Sequence, residues 1–257
     1  MPRFIYKLKP SEKSEDDHMY SIKERDLTVL PIKYDLRTAT NCVPDVLDQG
    51  QLGCCAGNEI SNALRYCLKK EHAIDFQPSR LFIYYFARMI DGSPVAQDTG
   101  ITIKAGMTCV QKFGACNEIK WPYYISKYQF QPSKDAIADS KTHIPNFTCT
   151  RVPQDLMSIK HALFSGFPII VGISVYSSLE CESTITTGEI PMPNTSSETL
   201  NGGHCVSLYG YDDTTKRFIM MNSWGISVGQ HGWFTIPYEY ILNSDLCCDL
   251  WTITFYK

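Results

Sequence analysis

The order of apolar and polar positions predicts helices in the first half of the chain and strands in the second. Apolar residues recur at helical spacing after Gly53, and the same period continues in residues 79–90, 100–114 and 154–166. Beyond residue 166 the pattern changes to short β-branched and aromatic runs broken by Gly, Pro, Asp and Asn, which is typical of antiparallel strands. These runs cover residues 168–175, 202–213, 216–224, 232–241 and 250–256.

Helices followed by strands predict an α+β fold with two lobes rather than an alternating parallel sheet. The first 30 residues are charged and show no clear period, so we interpret them as an N-terminal extension. We expect a mainly helical lobe over residues 31–145 and a mainly β lobe over residues 146–257. The interface between two such lobes is a usual place for a substrate cleft.

Composition and charge exclude several function classes. The 257 residues carry a net charge of −3, with both signs mixed along the chain, so no basic stripe indicates nucleic-acid binding. No run of about 18 apolar residues is present, so no membrane span is predicted. The N-terminal residues contain no apolar signal-peptide core, and we therefore expect an intracellular, cytoplasmic protein unless a leader has been removed.

Eleven cysteines are many for an intracellular protein, but their arrangement gives little support to a covalent or metal framework. Their number is odd and none forms a C-x-x-C pair. A disulfide framework, a zinc ribbon and a thioredoxin-type motif are therefore poorly supported, and most of these thiols are expected to be small buried hydrophobes. We predict no metal and no cofactor.

Two adjacent cysteines at a predicted helix start are the first candidates for chemistry. In "GQLGCCAGNE", Cys54 and Cys55 lie where the positive end of a helix favours a thiolate. A cysteine nucleophile also needs a histidine, and His204 in "NGGHCVSLYGYDD" follows two glycines that leave its ring room beside a substrate. Asn222, in "MNSWG", can hold that imidazole through its side-chain carbonyl.

The order of these motifs resembles the papain/cathepsin family of cysteine peptidases. The matching segments are "YDLR" (34–37), "DQGQLGCCA" (48–56), "WPY" (121–123), "GGHCVSLYGYD" (202–212) and "NSWG" (222–225), so the resemblance runs from about residue 30 to the C-terminus. The histidine and asparagine follow Cys55 by about 150 and about 170 residues, close to the roughly 130–150 typical of the family.

The resemblance implies a papain-like two-lobe fold with a helical left lobe, an antiparallel β-barrel-like right lobe and an active-site cleft between them. It implies a thiolate–imidazolium pair of Cys55 and His204 that hydrolyses peptide bonds through an acyl-enzyme. Gln49 would contribute to the oxyanion hole, Asn222 would orient His204, and Trp224 would shield that contact from water. Cys54 takes the position that a small residue, most often Ser, holds in the family.

Alignment with the family also suggests substrate-binding residues. Gly100 would pair with the substrate backbone, Ile101 and Ile103 would line an apolar pocket, and Gly203 would leave one pocket wall open. We therefore expect tolerance of a bulky apolar residue one place upstream of the attacked residue. No paired-histidine insertion is visible, which favours an endopeptidase acting on peptides or proteins.

Some positions depart from the family pattern. Leu52 replaces a cysteine that normally enters a disulfide, Ala56 replaces an aromatic residue, and Cys205 replaces a common alanine. These changes resemble a branch known in bacteria and large viruses, with a short N-terminal segment, and a viral source would imply association with virions. The extension of residues 1–30 is either an inhibitory segment lying along the cleft or a disordered tail.

Three function classes stay open on the sequence alone. The first is an active thiol endopeptidase. The second is a catalytically inactive papain-like binding protein, motivated by Ala56 and by the crowded thiols near the nucleophile. The third is a metal or redox site built from Cys54, Cys55, His204 and Cys205.

Overall fold

The four predicted long helices are present in the computed structural model, which describes residues 4–22, 29–142 and 147–255. In chain order the elements are β1 (Lys33–Asp35), α1 (Leu36–Ala39), α2 (Cys55–His72), α3 (Arg80–Ile90), α4 (Ile103–Phe113), α5 (Lys134–Ser140), β2 (Phe147–Arg151), α6 (Leu156–Phe164), β3 (Ile169–Tyr176), α7 (Glu182–Thr187), β4 (Leu200–Asp212), β5 (Arg217–Met221), β6 (Trp233–Pro237), α8 (Tyr238–Leu242) and β7 (Cys247–Phe255).

Side-chain caps fix where several of these helices begin. Ser79 accepts a hydrogen bond from the Phe82 amide at the start of α3, and Thr102 accepts one from Ala105 at the start of α4. Such caps satisfy backbone N–H groups that have no partner within the helix. At the other end, α4 stops at Gly114, whose positive φ of 74° suits a glycine.

The strands form one antiparallel sheet in the order β2-β7-β3-β4-β5-β6, with β1 pairing to β4. The α+β class predicted from the sequence is confirmed. The sheet is an open path rather than a closed barrel, because β2 and β6 lie at its two ends and do not pair with each other among the described strands. The barrel-like form expected for the right lobe is corrected to this open, seven-stranded sheet.

Helix α2 connects the helical lobe to the sheet. It is buried along most of its length and packs on β4, with the rings of Tyr66 and Tyr209 edge to face at 5.9 Å. Near its other end, the Cys67 thiol lies 3.6 Å from the Ile253 carbonyl of β7. This packing fixes the start of α2, and therefore Cys55, relative to β4, which carries His204.

The sequence pattern misassigned one segment and missed two strands. Residues 232–241 were predicted as one strand, but β6 ends at Pro237 and α8 follows. Proline has no N–H to continue a ladder, and its fixed φ suits a helix start. The short strands β1 and β2 were not predicted, because three to five residues show too little alternation to be recognised.

Part of the N-terminal extension packs against the folded body. The Arg151 amide of β2 donates to the His18 carbonyl at 2.7 Å, and the Tyr20 amide donates to the Arg151 carbonyl at 2.8 Å. The Arg151 side chain bridges Asp17 and Asp249 at 3.0 and 2.9 Å, and Lys104 also pairs with Asp17. Buried ion pairs and a short parallel bridge thus attach this segment to the sheet.

The expected lobe boundary at residues 145 and 146 lies outside the described residues. Among the described helices, none combines the length and the apolarity that crossing a membrane requires. All eleven cysteines are free thiols, and nine of them are buried. The predicted intracellular location stays a prediction.

Candidate active site

The start of α2 gives the two adjacent cysteines different surroundings. Cys54 is the residue before the helix and Cys55 is its first residue. The Cys54 sulfur faces the helical lobe, where it lies 3.9 Å from the Arg80 carbonyl and against Gly57. Complete burial raises the pKa of the Cys54 thiol. The Cys54 thiol therefore packs within the helical lobe as a small buried hydrophobe.

Cys55 faces the sheet instead. Burial raises the pKa of its thiol to about 12, while backbone hydrogen bonds at Cys205 and Ala56 lower it. The interaction with the Cys205 backbone places the sulfur beside the residue that follows His204 in β4. The structure therefore brings the predicted nucleophile and the predicted histidine to the same end of α2, although about 150 residues separate them in sequence.

His204 is held by the asparagine that the sequence indicated. Its Nε2 lies 2.8 Å from Asn222 Oδ1, which also accepts the Ser223 amide at 2.8 Å. Because Oδ1 is the acceptor, Nε2 carries the proton, and the other ring nitrogen, Nδ1, has no hydrogen-bond partner. Burial lowers the pKa of His204 to about 4, and the Asn222 contact opposes that effect. Trp224 stacks on the imidazole at 5.1 Å.

Gln49 is fixed so that its amide points into the cleft. Its Oε1 accepts a hydrogen bond from the Ser223 hydroxyl at 2.9 Å, and its backbone N–H donates to the Ser223 carbonyl. Nε2 donates to the Leu52 carbonyl at 3.0 Å and to the Ile5 carbonyl at 3.3 Å. The Gln49 side chain thus donates a hydrogen bond to a peptide carbonyl in the N-terminal part of the same chain.

Residues 4–9 lie in the cleft and contact both of its walls. The Leu8 amide donates to the Gly203 carbonyl at 3.0 Å, and the Lys9 amide donates to the Ile101 carbonyl at 3.3 Å. The Lys7 ammonium pairs with Asp98 at 2.7 Å. Residues 4–9 therefore contact the main chain at Ile101 and Gly203, two of the residues aligned with the substrate-binding region.

The side chains of the same segment cover Trp224 and His204. Phe4 stacks on Trp224 with ring centroids 4.0 Å apart, and the Tyr6 ring meets His204 edge to face at 5.6 Å. The Tyr6 hydroxyl donates to Glu180 at 2.8 Å. With this segment in place, Cys55 is 1% exposed and His204 is fully buried.

Leu8 occupies an apolar pocket formed by the strand lobe. Its Cδ2 lies only 2.8 Å from where a Cβ on Gly172 would stand, and the Cys248 sulfur lies 3.2 Å from that same point. A Cβ on Gly203 would come within 2.6 Å of the Leu8 carbonyl oxygen. The absence of side chains at these two glycines therefore creates the space that the leucine fills.

The predicted substrate-binding residues differ in where they lie. Gly100 has a φ of 67°, and a Cβ there would overlap the Lys7 carbonyl, so the chain passes directly over this glycine. Ile101 offers its carbonyl, but its Cδ1 lies against Gly106 of α4 in the helical core. Ile103 is fully buried in the first turn of α4. Their role as pocket walls stays a prediction.

Sequence reasoning missed several residues that shape the site. Asp98 accepts hydrogen bonds from the Gly53 amide, from Lys7 and from the Tyr84 hydroxyl, so it holds the loop before the nucleophile. Ser223, Gly172 and Cys248 were also missed. Asp98 and Ser223 carried a usable signal, because Asp98 lies two residues before Gly100 and Ser223 lies within the "NSWG" motif.

The described residues give no support to the alternative metal site of Cys54, Cys55, His204 and Cys205. Nowhere within residues 4–22, 29–142 and 147–255 do three or more His, Cys, Asp or Glu side chains lie grouped as metal ligands. Cys54 and Cys55 point in different directions, which separates the sulfurs that such a site would combine.

Comparison with known proteins agrees with this geometry. The family model for papain family cysteine proteases matches residues 30–248. An uncharacterized peptidase C1-like protein of Acanthamoeba polyphaga mimivirus is 36% identical over 231 residues, which are 86% of this chain and 73% of that protein. The viral cathepsin of Adoxophyes honmai nucleopolyhedrovirus is 26% identical over 212 residues, 80% of this chain and 57% of its own length.

A solved structure is similar over nearly the whole chain. The crystal structure of xylellain, a cysteine protease from Xylella fastidiosa, superimposes with a TM-score of 0.89 at 34% sequence identity. The superposition covers 98% of this chain and 96% of that one. It therefore includes both lobes and the cleft between them.

Proposed function

Because this chain belongs to the papain family of cysteine proteases, we propose that it is an endopeptidase whose nucleophile is Cys55. His204 is the general acid and base, Asn222 orients it, and Gln49 donates to the oxyanion. The substrates are peptides or proteins. The residues 4–9 segment is inhibitory and covers the cleft until it is displaced.

The reaction proceeds in two steps, acylation of Cys55 and hydrolysis of the acyl-enzyme. The Cys55 sulfur attacks the carbonyl carbon of a peptide bond, and the oxygen that becomes negative is stabilised by the Gln49 side-chain amide and the Cys55 backbone N–H. His204 gives its proton to the leaving amine, and an acyl-enzyme thioester remains. Water then attacks the thioester and gives one proton to His204, the C–S bond breaks, the carboxylic acid leaves, and the Cys55 thiolate and protonated His204 are restored.

One observation carries this proposal: Gln49 Nε2 donates to the Ile5 carbonyl oxygen at 3.3 Å, in the same cleft as Cys55. The donor assigned to the oxyanion is thus able to bind a peptide carbonyl of an extended segment in the cleft. Burial and the hydrogen bond to Glu180 raise the pKa of Tyr6, and a charge on Cys55 raises it further, which places the two side chains near each other. The site therefore accepts an extended polypeptide across the nucleophile.

The direction of this segment supports an inhibitory role. Residues after Ile5, from Lys7 to Lys9, lie along Gly100 and Gly203, where residues preceding the attacked carbonyl of a substrate would lie. The segment thus runs opposite to the direction inferred for a substrate. We propose that this reversed polarity lets a peptide fill the cleft without presenting a bond for cleavage.

The electrostatics of the covered site favour an inactive form. Burial raises the pKa of Cys55 to about 12 and lowers that of His204 to about 4, so both groups are neutral at pH 7. Displacement of the segment admits water to the pair and removes most of this desolvation. We propose that the reactive thiolate–imidazolium pair forms only then, with the start of α2 stabilising the anion.

The decisive experiment is labelling with an active-site-directed epoxide, followed by mass mapping. We expect one adduct per chain on Cys55, lost in Cys55→Ala and retained in the matched variant Cys54→Ala. Reductant is included in a parallel sample, since an oxidised nucleophile would not react. Peptide hydrolysis is measured on the same three proteins.

The outcomes separate the function classes. An adduct that disappears in Cys54→Ala but persists in Cys55→Ala would reverse the assignment of the nucleophile. A folded protein that reacts with neither reagent nor peptide, even after its first 30 residues are removed, would indicate a binding protein without catalysis.

A further inference from the structure

Glu59 is a buried carboxyl that the proposed mechanism does not use. It lies four residues after Cys55 in α2, so the two side chains are on the same face of the helix, one turn apart. Only 1% of Glu59 is exposed, and its Oε2 has no hydrogen-bond partner. A carboxylate so placed would be costly, because burial strongly disfavours an unpaired charge.

The surroundings of Glu59 are polar but uncharged. The face of α2 that carries Cys55, Glu59 and Tyr66 packs on β4, where alternate residues point toward it. The hydroxyl groups of Ser207 and Tyr209 on that face are buried, and the Tyr209 hydroxyl has no hydrogen-bond partner. The carboxyl of Glu59 therefore lies among neutral hydroxyl groups, on the helix face that also carries Cys55.

Burial raises the pKa of Cys55, Cys205 and Tyr209, and a charge on Glu59 raises the pKa of each of these three groups further. Among the described residues, no salt bridge joins Glu59 to a Lys, Arg or His. Burial raises the pKa of Glu59 to about 8, and the neighbouring Ser207 hydroxyl lowers it. The geometry and the charges agree that the acid keeps its proton near neutral pH.

We propose that Glu59 is a positioning residue that acts through Cys55: as a neutral acid it leaves the nucleophile free to ionise, and as a carboxylate it opposes the thiolate. The inference rests on the proposed function only in taking Cys55 as the nucleophile. The loss of one proton from Glu59 then lowers the fraction of Cys55 that is thiolate at a given pH, separately from the titration of His204.

The first test measures the carboxyl itself in the full chain. Protein labelled with ¹³C at the glutamate carboxyl is titrated by NMR, and Glu59→Gln identifies the resonance. We expect that resonance to titrate well above those of the other glutamates and to move to still higher pH in Ser207→Ala, which removes the hydroxyl that favours ionisation. Glu71→Gln, at the other end of α2, is the matched control.

The second test measures the effect on Cys55. The rate of Cys55 alkylation by iodoacetamide is followed by mass mapping across the pH range in the full-length wild type, Glu59→Gln and Glu71→Gln. Above the Glu59 transition we expect Glu59→Gln to react about tenfold faster than wild type, since one pKa unit of like-charge repulsion corresponds to a factor of ten. Because the N-terminal segment is the same in all three proteins, its opening cancels in the ratio.

The results distinguish this inference from the proposed function. A Glu59 resonance that titrates with the other glutamates, or equal Cys55 alkylation rates in wild type and Glu59→Gln at every pH, would overturn the inference while leaving peptide hydrolysis intact. If the protein hydrolyses no peptide but both tests give the expected result, the coupling stands and the proposed activity fails. If Glu59→Gln does not fold, the resonance that moves to higher pH in Ser207→Ala identifies the Glu59 carboxyl and tests the inference by itself.

Discussion

Gln49 Nε2 lies 3.3 Å from the carbonyl oxygen of Ile5, so a donor expected to stabilise an oxyanion is hydrogen-bonded to the chain's own N-terminal segment. The same Gln49 side chain is held from behind by the Ser223 hydroxyl at 2.9 Å. The donor is therefore fixed before any substrate arrives, which is the condition for effective electrostatic stabilisation of a transition state.

Replacing Gln49 is expected to impair the chemical step more than substrate binding. Gln49→Ala removes one oxyanion donor, a change worth about 10²–10³ in kcat. Gln51→Ala is the matched control, because Gln51 lies two residues away and is exposed. Steady-state kinetics on a peptide substrate measure the effect, and a loss of less than about threefold in Gln49→Ala would remove this residue from the mechanism.

Removing contacts between the N-terminal segment and the cleft is expected to speed the labelling of Cys55. Phe4→Ala removes the stack on Trp224, and an aromatic pair contributes about 0.5–1.5 kcal/mol, so the epoxide should react up to about tenfold faster. Lys7→Ala removes a partly exposed ion pair with Asp98 and should give a smaller increase.

Lys33→Ala is the control for this comparison. Lys33 forms an ion pair with Asp212 at 2.9 Å and is more exposed than Lys7, but it lies on β1 rather than in the segment that fills the cleft. Labelling rates that do not differ between wild type, Phe4→Ala and Lys33→Ala would argue against an inhibitory segment.

Filling the Leu8 pocket is expected to change specificity. Gly172→Ala places a methyl group 2.8 Å from the position of Leu8 Cδ2 and 3.2 Å from the Cys248 sulfur. We expect the preference for leucine over alanine, one place upstream of the attacked residue, to fall about tenfold. That loss lies within the range of about 1–3 kcal/mol by which one methylene group changes substrate discrimination in an apolar pocket. The ratio of kcat/KM for the two peptides is the measurement, and an unchanged ratio would show that another pocket binds this side chain.

Glu59 is expected to make the stability of the fold depend on pH. The folded protein keeps the Glu59 proton up to about pH 8, whereas the unfolded chain loses it near 4.5. The stabilisation is complete below about pH 4.5 and is lost as the pH rises toward 8, with a slope approaching 1.4 kcal/mol per pH unit. Urea unfolding of wild type and Glu59→Gln should therefore diverge over this range, while Glu71→Gln parallels wild type.

Much of the fold was predictable because its signals are local. The helical period after Gly53 predicted α2, and the apolar runs after residue 166 predicted most of the sheet. The change from β6 to α8 at Pro237 was missed, because aromatic and β-branched residues continue across it. The pairing of β1 with β4 joins residues far apart in the chain, and no local pattern contains that information.

The candidate site was predictable to a lesser degree. The order of the motifs identified Cys55, His204, Asn222 and Gln49, which the structure brings together in one cleft. Of the two glycines that Leu8 contacts, Gly203 was among the aligned substrate-binding residues, whereas Gly172 was not. An alignment assigns positions along the chain, whereas the direction of each side chain depends on the elements packed around it.

The sequence by itself determined the family, the succession of helices and strands, and the cysteine that begins α2, because each depends on residues near one another or on their order. Only the tertiary structure decided that residues 4–9 fill the cleft, that Cys55 and His204 are neutral there, and that Glu59 lies buried behind the nucleophile. The physical reason is desolvation: the ionisation of a group depends on everything that excludes water from it, and those surroundings come from segments that only folding brings together.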